Sequence, residues 1–285
     1  MSVRREPSDR GPVPRLVLPV PLRRGDGEVT ETSGIRRINR GKGHSYSIDG
    51  ERADGVTTLI GDGLAKPALI NWAANITAGY AVDHWDDLAE KPVSARLETL
   101  KKARYADVDA AARRGTEVHA LAEKLVQGEQ VDVPDELAGH IESCVKFLND
   151  WEPTPILTET VVANRKWRYC GTTDGVIDLP DGTRAIYDWK TGRSGIFPDA
   201  ALQLAAYAHA DVYLDADGNE QSMAELGITL GLGVHIRADG YDVYPLEISE
   251  AVFKDFLHVA WVARMTKRMS VWRGEVMAAP IEGAA

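Results

Sequence analysis

Apolar and polar positions follow two different rhythms along this chain, and the change falls near Pro153. Before it the spacing is helical. Leu69, Ile70, Trp72, Ala73, Ile76 and Tyr80 recur at three- and four-residue intervals, and Pro67 stands where a first helical turn begins. The same periodicity predicts helices over Val93–Ala111, Arg113–Val126 and Asp135–Asn149. Two short stretches further upstream, Tyr46-Ser47-Ile48 and Val56-Thr57-Thr58-Leu59, predict a small hairpin or ribbon. Trp72, Trp85 and Trp151 sit among apolar neighbours and are expected in the core. After Pro153 the texture is β-branched. Ile156–Ala163, Arg168–Leu179 and Thr183–Trp189 predict three strands, the last two joined by the turn signal Leu179-Pro180-Asp181-Gly182. A helix over Pro198–Ala210, strands near Ile228–Ile236 and Tyr241–Leu246, and a last helix over Ser249–Met269 complete the pattern. The order predicts an α/β or α+β core with a central mixed sheet flanked by helices, plus a helical N-terminal portion.

Composition narrows this only a little. The chain has 285 residues, 44% hydrophobic and 27% charged, with a net charge of −10. Its longest apolar runs, such as Ala200–Ala206, fall short of the roughly 18 residues that span a bilayer, and no signal-peptide core opens the chain, so a cytoplasmic protein without membrane contact is expected. Two cysteines, Cys144 and Cys170, are too few for a four-thiolate iron–sulfur cluster. The negative balance argues against coating nucleic acid by bulk charge, but metal-binding carboxylates contribute to it and a local basic strip suffices for DNA contact. The segmentation read from texture is a flexible basic arm over 1–42, an N-terminal hairpin and helical portion over 43–112, a core over 113–273 and a flexible tail over 274–285. The arm's arginines, Arg36 and Arg37 among them, belong either to a solvated tail or to a phosphate-contacting segment.

Candidate chemistry centres on Asp188-Trp189-Lys190. On a strand Asp188 and Lys190 project to one face and Trp189 to the other. Alone, that triplet is an ordinary surface ion pair. With the hairpin centred on Asp181, opposed residues sum to 362, which sets Asp174 opposite Asp188, provided the turn has three residues or a compensating bulge. Two carboxylates so close repel, and a divalent cation with a taste for hard oxygen ligands, Mg²⁺ or Mn²⁺, removes the conflict. His119 and Glu123 share one helix face, as either a surface pair or a ligand and its neighbour. Gln203 and Tyr207 share another, as helix packing or as groups that orient Lys190, a metal-bound water or a phosphate. Asn164-Arg165-Lys166-Trp167-Arg168-Tyr169 interleaves cations and aromatics, as in an exposed turn or in a DNA-binding strip of Arg165, Lys166 and Arg168. Arg264, Lys267, Arg268 and Arg273, near Met265, Met269 and Trp272, suit either a DNA groove or a subunit contact.

Gly115-Thr116-x-x-His119, Gly171-Thr172-x-Asp174-Gly175-x-x-Asp178, Asp188-x-Lys190-Thr191-Gly192 and Gln203-x-x-x-Tyr207 occur in this order. Together they resemble the RecB-type branch of the PD-(D/E)xK nucleases, which includes phage-encoded recombination exonucleases. The resemblance is strongest from Gly115 to Tyr207, with weaker similarity around Val56–Ile60 and Lys66–Ala74. It implies a restriction-endonuclease-like core over 113–273 and one or two Mg²⁺ or Mn²⁺ ions. It further implies His119, Asp174, Asp188 and the Trp189 backbone carbonyl as metal ligands, Lys190 as the catalytic lysine and Gln203 and Tyr207 as its companions. Glu123 and Glu159 are nearby acidic residues in supporting positions. The partner implied is DNA, with a single-strand annealing or single-strand-binding protein as a candidate second partner; whether the chain forms an oligomer stays open. The expected function is thus a metal-dependent DNA exonuclease in recombination or replication. A structure-selective endonuclease, a non-catalytic DNA-binding module of the same fold and a structural protein with a surface ion pair stand as alternatives.

Overall fold

The computed structural model describes residues 34–40 and 43–277. The expected N-terminal arm up to residue 33 and the tail from 278 lie outside the described residues. Within them the chain forms strands β1 (Ile35–Arg40), β2 (Gly43–Ile48) and β3 (Glu51–Gly55), then helices α1 (Val56–Gly63), α2 (Pro67–Asp83), α3 (Trp85–Ala89), α4 (Val93–Val126) and α5 (Ala138–Trp151). Strands β4 (Thr154–Asn164), β5 (Tyr169–Asp178) and β6 (Arg184–Lys190) follow, then helix α6 (Ala200–Ala208). Strands β7 (Val212–Leu214), β8 (Glu220–Ser222), β9 (Leu230–Arg237) and β10 (Gly240–Leu246) lead to helix α7 (Glu250–Arg268).

All ten strands join one mixed, curled sheet. Most neighbours are antiparallel, but β3 runs parallel to β5 and β6 parallel to β9. Along one edge β5 is paired with β4 over nearly its whole length. Along the other it pairs first with β3, at Tyr169 and Cys170, and later with β6, from Gly175 to Asp178. The edge between, Gly171 to Asp174, has no strand partner among the described residues. Helices α1, α6 and α7 cover one face through Val56, Leu59, Leu204, Phe256 and Ala260. Helices α4 and α5 cover the other through Val118, Ala122, Cys144 and Phe147, against Tyr187 and Trp189. Strand β6, buried from Ala185 to Trp189, is sandwiched between these layers, as a strand with a parallel partner and helices on both sides must be.

Several expectations are corrected. Val56–Leu59 is the start of α1, because Val56, Leu59 and Ile60 bury together at helical spacing. The two helices expected on either side of residue 112 are one continuous α4, so the boundary at 112/113 falls inside a helix. Ile35–Arg40, read as part of the arm, pairs with β2 as β1. Strands β7 and β8, three residues each, were too short to register as pattern. Trp85 is 69% exposed and Trp72 37% exposed, so neither is core. Trp151 does stack on Phe147.

Candidate functional site

The β5–β6 hairpin turns through Pro180, Asp181 and Gly182, closed by Leu179 N–H donating to the Thr183 carbonyl at 2.9 Å. Gly182 takes the left-handed conformation (φ +85°) that such a three-residue turn needs. The register is Gly175 with Tyr187, Val176 with Ile186, Ile177 with Ala185 and Asp178 with Arg184, so the pairs sum to 362. The turn-length condition is therefore met without a bulge. Ladder pairing stops at Gly175–Tyr187, one step before Asp174 and Asp188. Beyond it the Trp189 N–H donates to Asp174 Oδ2 at 2.7 Å, so a side chain takes over where the ladder ends.

The strand surface is not regular here. Tyr169 and Val176 of β5, seven residues apart, contribute to one core cluster, as do Val162 and Leu157 of β4, five apart. Strict alternation would send each pair to opposite faces. Within β4 the register against β5 shifts between Pro155 and Leu157, and Glu159 takes a φ of +45°, uncommon for a residue with a side chain. Beside this stretch the edge of β5 from Gly171 to Asp174 has no strand partner among the described residues.

The opening is a cleft of about 520 Å³. His119, Asp174, Asp188, Trp189, Lys190, Gln203, Tyr207, Glu123 and Glu159 all line it. They come from α4, β4, β5, β6 and α6. His119 Nδ1 stands 3.6 Å from Asp174 Oδ2. Asp188, 4% exposed, accepts a hydrogen bond from Gln203 Nε2 at 2.7 Å through Oδ1, and its Oδ2 lies in ion-pair contact with Lys190 Nζ without an aligned hydrogen bond. Gln203 Nε2 also reaches the Tyr207 hydroxyl at 3.4 Å. The Trp189 ring packs edge-on against Tyr187 and Phe147 in the opposite core, as strand alternation predicts.

Two glycines of the motifs have a steric reason. A Cβ on Gly171 would lie 2.2 Å from Tyr207 Cε1, so the tyrosine ring occupies the space a side chain would take. A Cβ on Gly115 would stand 3.1 Å from Thr191 Oγ1, where α4 approaches the loop after β6.

The electrostatics are those of crowded acids. Burial pushes Asp188 up to about 6, and the nearby Asp174 carboxylate adds to the rise, against the pull of Lys190 and His119. Burial also lowers His119, but its contact with Asp174 and the fields of Asp174 and Asp188 outweigh that and raise it. Glu123 is raised by burial first and then by Glu159. Burial drives the Tyr207 phenol well above its ordinary value, so it stays a hydroxyl.

Residues outside the expected set also line the cleft. Arg37 of β1 donates to Glu159 Oε1 at 2.9 Å, and the Tyr46 hydroxyl meets Thr172 Oγ1 at 2.8 Å. His44 and Thr57 complete this wall. Arg37 stood in the sequence as one arginine of a basic arm, and nothing in the local pattern marks it off.

Arg165, Lys166 and Arg168 do not line the cleft. They sit at the β4–β5 turn, where Arg165 binds Asp49 and Glu220, Arg168 binds Glu51, and Lys166 lies 5.2 Å over the Trp167 ring. At about 3.3 Å per residue, the start of β5 is some 17 Å along the strand from Asp174. Arg264 and Lys267 are likewise engaged, with Asp54 and Asp62.

The side chains able to offer donors to a cation are His119, Asp174 and Asp188, with Glu123 and Glu159 further along the wall. Among the described residues no group of three or more His, Cys, Asp or Glu side chains is arranged to hold a metal ion. Protein partners take the facing atoms instead: Lys190 lies against Asp188, and the Trp189 amide against Asp174. No helix of the described residues is long and apolar enough to cross a membrane.

No family model matches this chain, and no curated protein sequence does. Twelve solved chains align with it. One is the crystal structure of SSO0001, at 16% identity over 55% of this chain and 71% of that one, with a TM-score of 0.29. A likeness so distant carries no argument about either fold or activity.

Proposed function

We propose that the chain is a divalent-metal-dependent deoxyribonuclease with a restriction-endonuclease-like core, acting as a DNA exonuclease. The observation that carries this reading is that His119, Asp174, Asp188 and Lys190, up to 71 positions apart in sequence, meet in one cleft at the open edge of β5. The donor set suits Mg²⁺ or Mn²⁺ in kind: carboxylate oxygens and one imidazole. The buried Asp188 Oδ2, which lacks an aligned hydrogen bond, and the mutual repulsion of Asp174 and Asp188 are what a bound cation would relieve. His119, Asp174, Asp188 and the Trp189 carbonyl would hold it. When bound, such an ion polarises a phosphate oxygen and lowers the pKa of a water.

The chain's own groups divide the remaining work. Gln203 fixes the Asp188 carboxylate through its amide and is itself braced by the Tyr207 hydroxyl. The Trp189 amide fixes Asp174. Lys190, 35% exposed at its side chain, is placed to stabilise negative charge developing on phosphorus or to hold the attacking water. Glu159 and Arg37, ion-paired on the far wall, keep an acid and a guanidinium at the entrance.

End-labelled single- and double-stranded DNA incubated with Mg²⁺ or Mn²⁺ tests the reading. Wild type is expected to shorten the labelled strand progressively, and Lys190→Ala to lose cleavage while still binding DNA. A wild type that cuts nothing with either metal, or a Lys190→Ala variant that cuts as well as wild type, overturns it. Rapid cutting of covalently closed circles would replace the exonuclease with the endonuclease reading.

A further inference from the structure

Two apolar patches stand uncovered on elements remote from each other in the chain. The first is the tip of the arm made by α2, α3 and the start of α4. Val82 is 72% exposed there and Trp85 69%. The tip is acidic on balance, carrying Asp83, Asp86, Asp87 and Glu90 against Lys91; of the four acids only Asp87 has an ion pair among the described residues, with His84 at 3.6 Å. Continuous α4 separates this tip from His119 by 26 residues, roughly 40 Å at 1.5 Å per residue. The second patch is the short 3₁₀ turn that ends α7, where Val271 is 80% exposed and Trp272 63%. It is basic. Arg264 and Lys267 are taken by Asp54 and Asp62, but Arg268 and Arg273 have no ion pair among the described residues, and the one acid beside them is Glu275.

We propose that these patches are the two halves of one head-to-tail contact between copies of this chain, the acidic arm tip of one copy seated on the basic C-terminal turn of the next. Each patch centres on a tryptophan, the side chain that contributes most at protein interfaces. Their net charges are opposite, which sets the orientation of the encounter. Pairing either patch with itself across a two-fold axis would bring like charges together, so the contact is heterologous and propagates from copy to copy. The four carboxylates of the tip disfavour a phosphate backbone as its occupant.

Light scattering coupled to size exclusion tests this on the full chain. Wild type is expected at a multiple of its 31.1 kDa, falling toward 31.1 kDa as salt rises to about 1 M. Trp85→Ser and Trp272→Ser, both at exposed positions, are each expected to give the 31.1 kDa species with an unchanged melting curve. An equimolar mixture of the two variants retains one intact pair of patches and is expected to form dimers and nothing larger. Arg268→Glu with Arg273→Glu should dissociate the assembly, and adding Asp86→Lys with Asp87→Lys to the same chain should restore it. A wild type of 31.1 kDa at every concentration, single variants that assemble like wild type, or a mixture that stays monomeric overturns the proposal.

Discussion

Replacing Asp188 by Asn is expected to make the metal-free protein more stable at neutral pH. The side chain is 4% exposed, faces Asp174 and has Lys190 as its one direct cation. Its pKa is raised from 3.8 to about 6, by burial first and by Asp174 second. At about 1.4 kcal/mol for each pH unit, holding Asp188 ionised at pH 7 costs the fold about 3 kcal/mol. The folded-state value lies above the unfolded one, so the folded chain binds the proton more tightly. The associated stability is complete below about pH 4 and is lost as pH rises through about 6. Asparagine keeps an oxygen for the Gln203 amide and removes the charge, at the loss of the Lys190 contact, so a net gain of about 1–3 kcal/mol is expected at pH 7–8. At about 2–4 °C per kcal/mol for a large domain, the melting temperature should rise by several degrees. Thermal melts of both proteins in EDTA between pH 4 and 8 measure it. The two curves should converge at acid pH and separate as pH rises. Excess Mg²⁺ should raise the wild-type melting temperature and leave that of the variant unmoved. A variant less stable than wild type at pH 7–8, or a difference that does not change with pH, refutes the assignment of a destabilising charge to this position.

Gly171→Ala is expected to lower stability by about 1–3 kcal/mol in urea unfolding, because its Cβ would meet the buried Tyr207 ring at 2.2 Å; an unchanged midpoint would mean the ring is free to move. Cys144 and Cys170 are buried, and burial pushes both thiols up to about 12. Neither should take up iodoacetamide at pH 8 in the folded protein, and both should do so in denaturant, as read by mass spectrometry; native labelling would contradict the packing around them.

The hairpin shows how far a sequence can be carried. Leu179-Pro180-Asp181-Gly182 marks a turn whose length the sequence leaves as a condition; the structure gives it three residues, and that register points Asp174 toward Asp188. The turn and the register it sets are local, although the ladder itself stops one step short of Asp174 and Asp188. The α2, α5, α6 and α7 helices were legible for the same reason, since three- and four-residue spacing of apolar residues is a property of one stretch of chain. Val56–Leu59 misled because a β-branched start reads as strand, while burial against α7 decides for helix. Continuous α4 was invisible because a helix that passes from solvent to core changes its apolar face partway along.

What local reasoning could not reach is what opens the site. The partnerless edge of β5 exists because β3 pairs with its first residues and β6 with its last, and β3 lies more than a hundred residues upstream. The register shift between Pro155 and Leu157 likewise depends on the partner strand, and a glutamate gives no hint of the left-handed backbone at 159. Arg37 reaches the cleft only because β1 and β2 curl against β3 over that same edge, so an arginine of no particular pattern becomes the partner of Glu159. The side chains that line the cleft were readable from order and spacing, whereas the space between them is a product of long-range pairing. For the same reason a single substitution in the β1–β3 ribbon should reshape the cleft without touching any motif. Arg37→Ala leaves Glu159 without its cation beside Glu123 and Asp174, and so concentrates negative charge at the entrance.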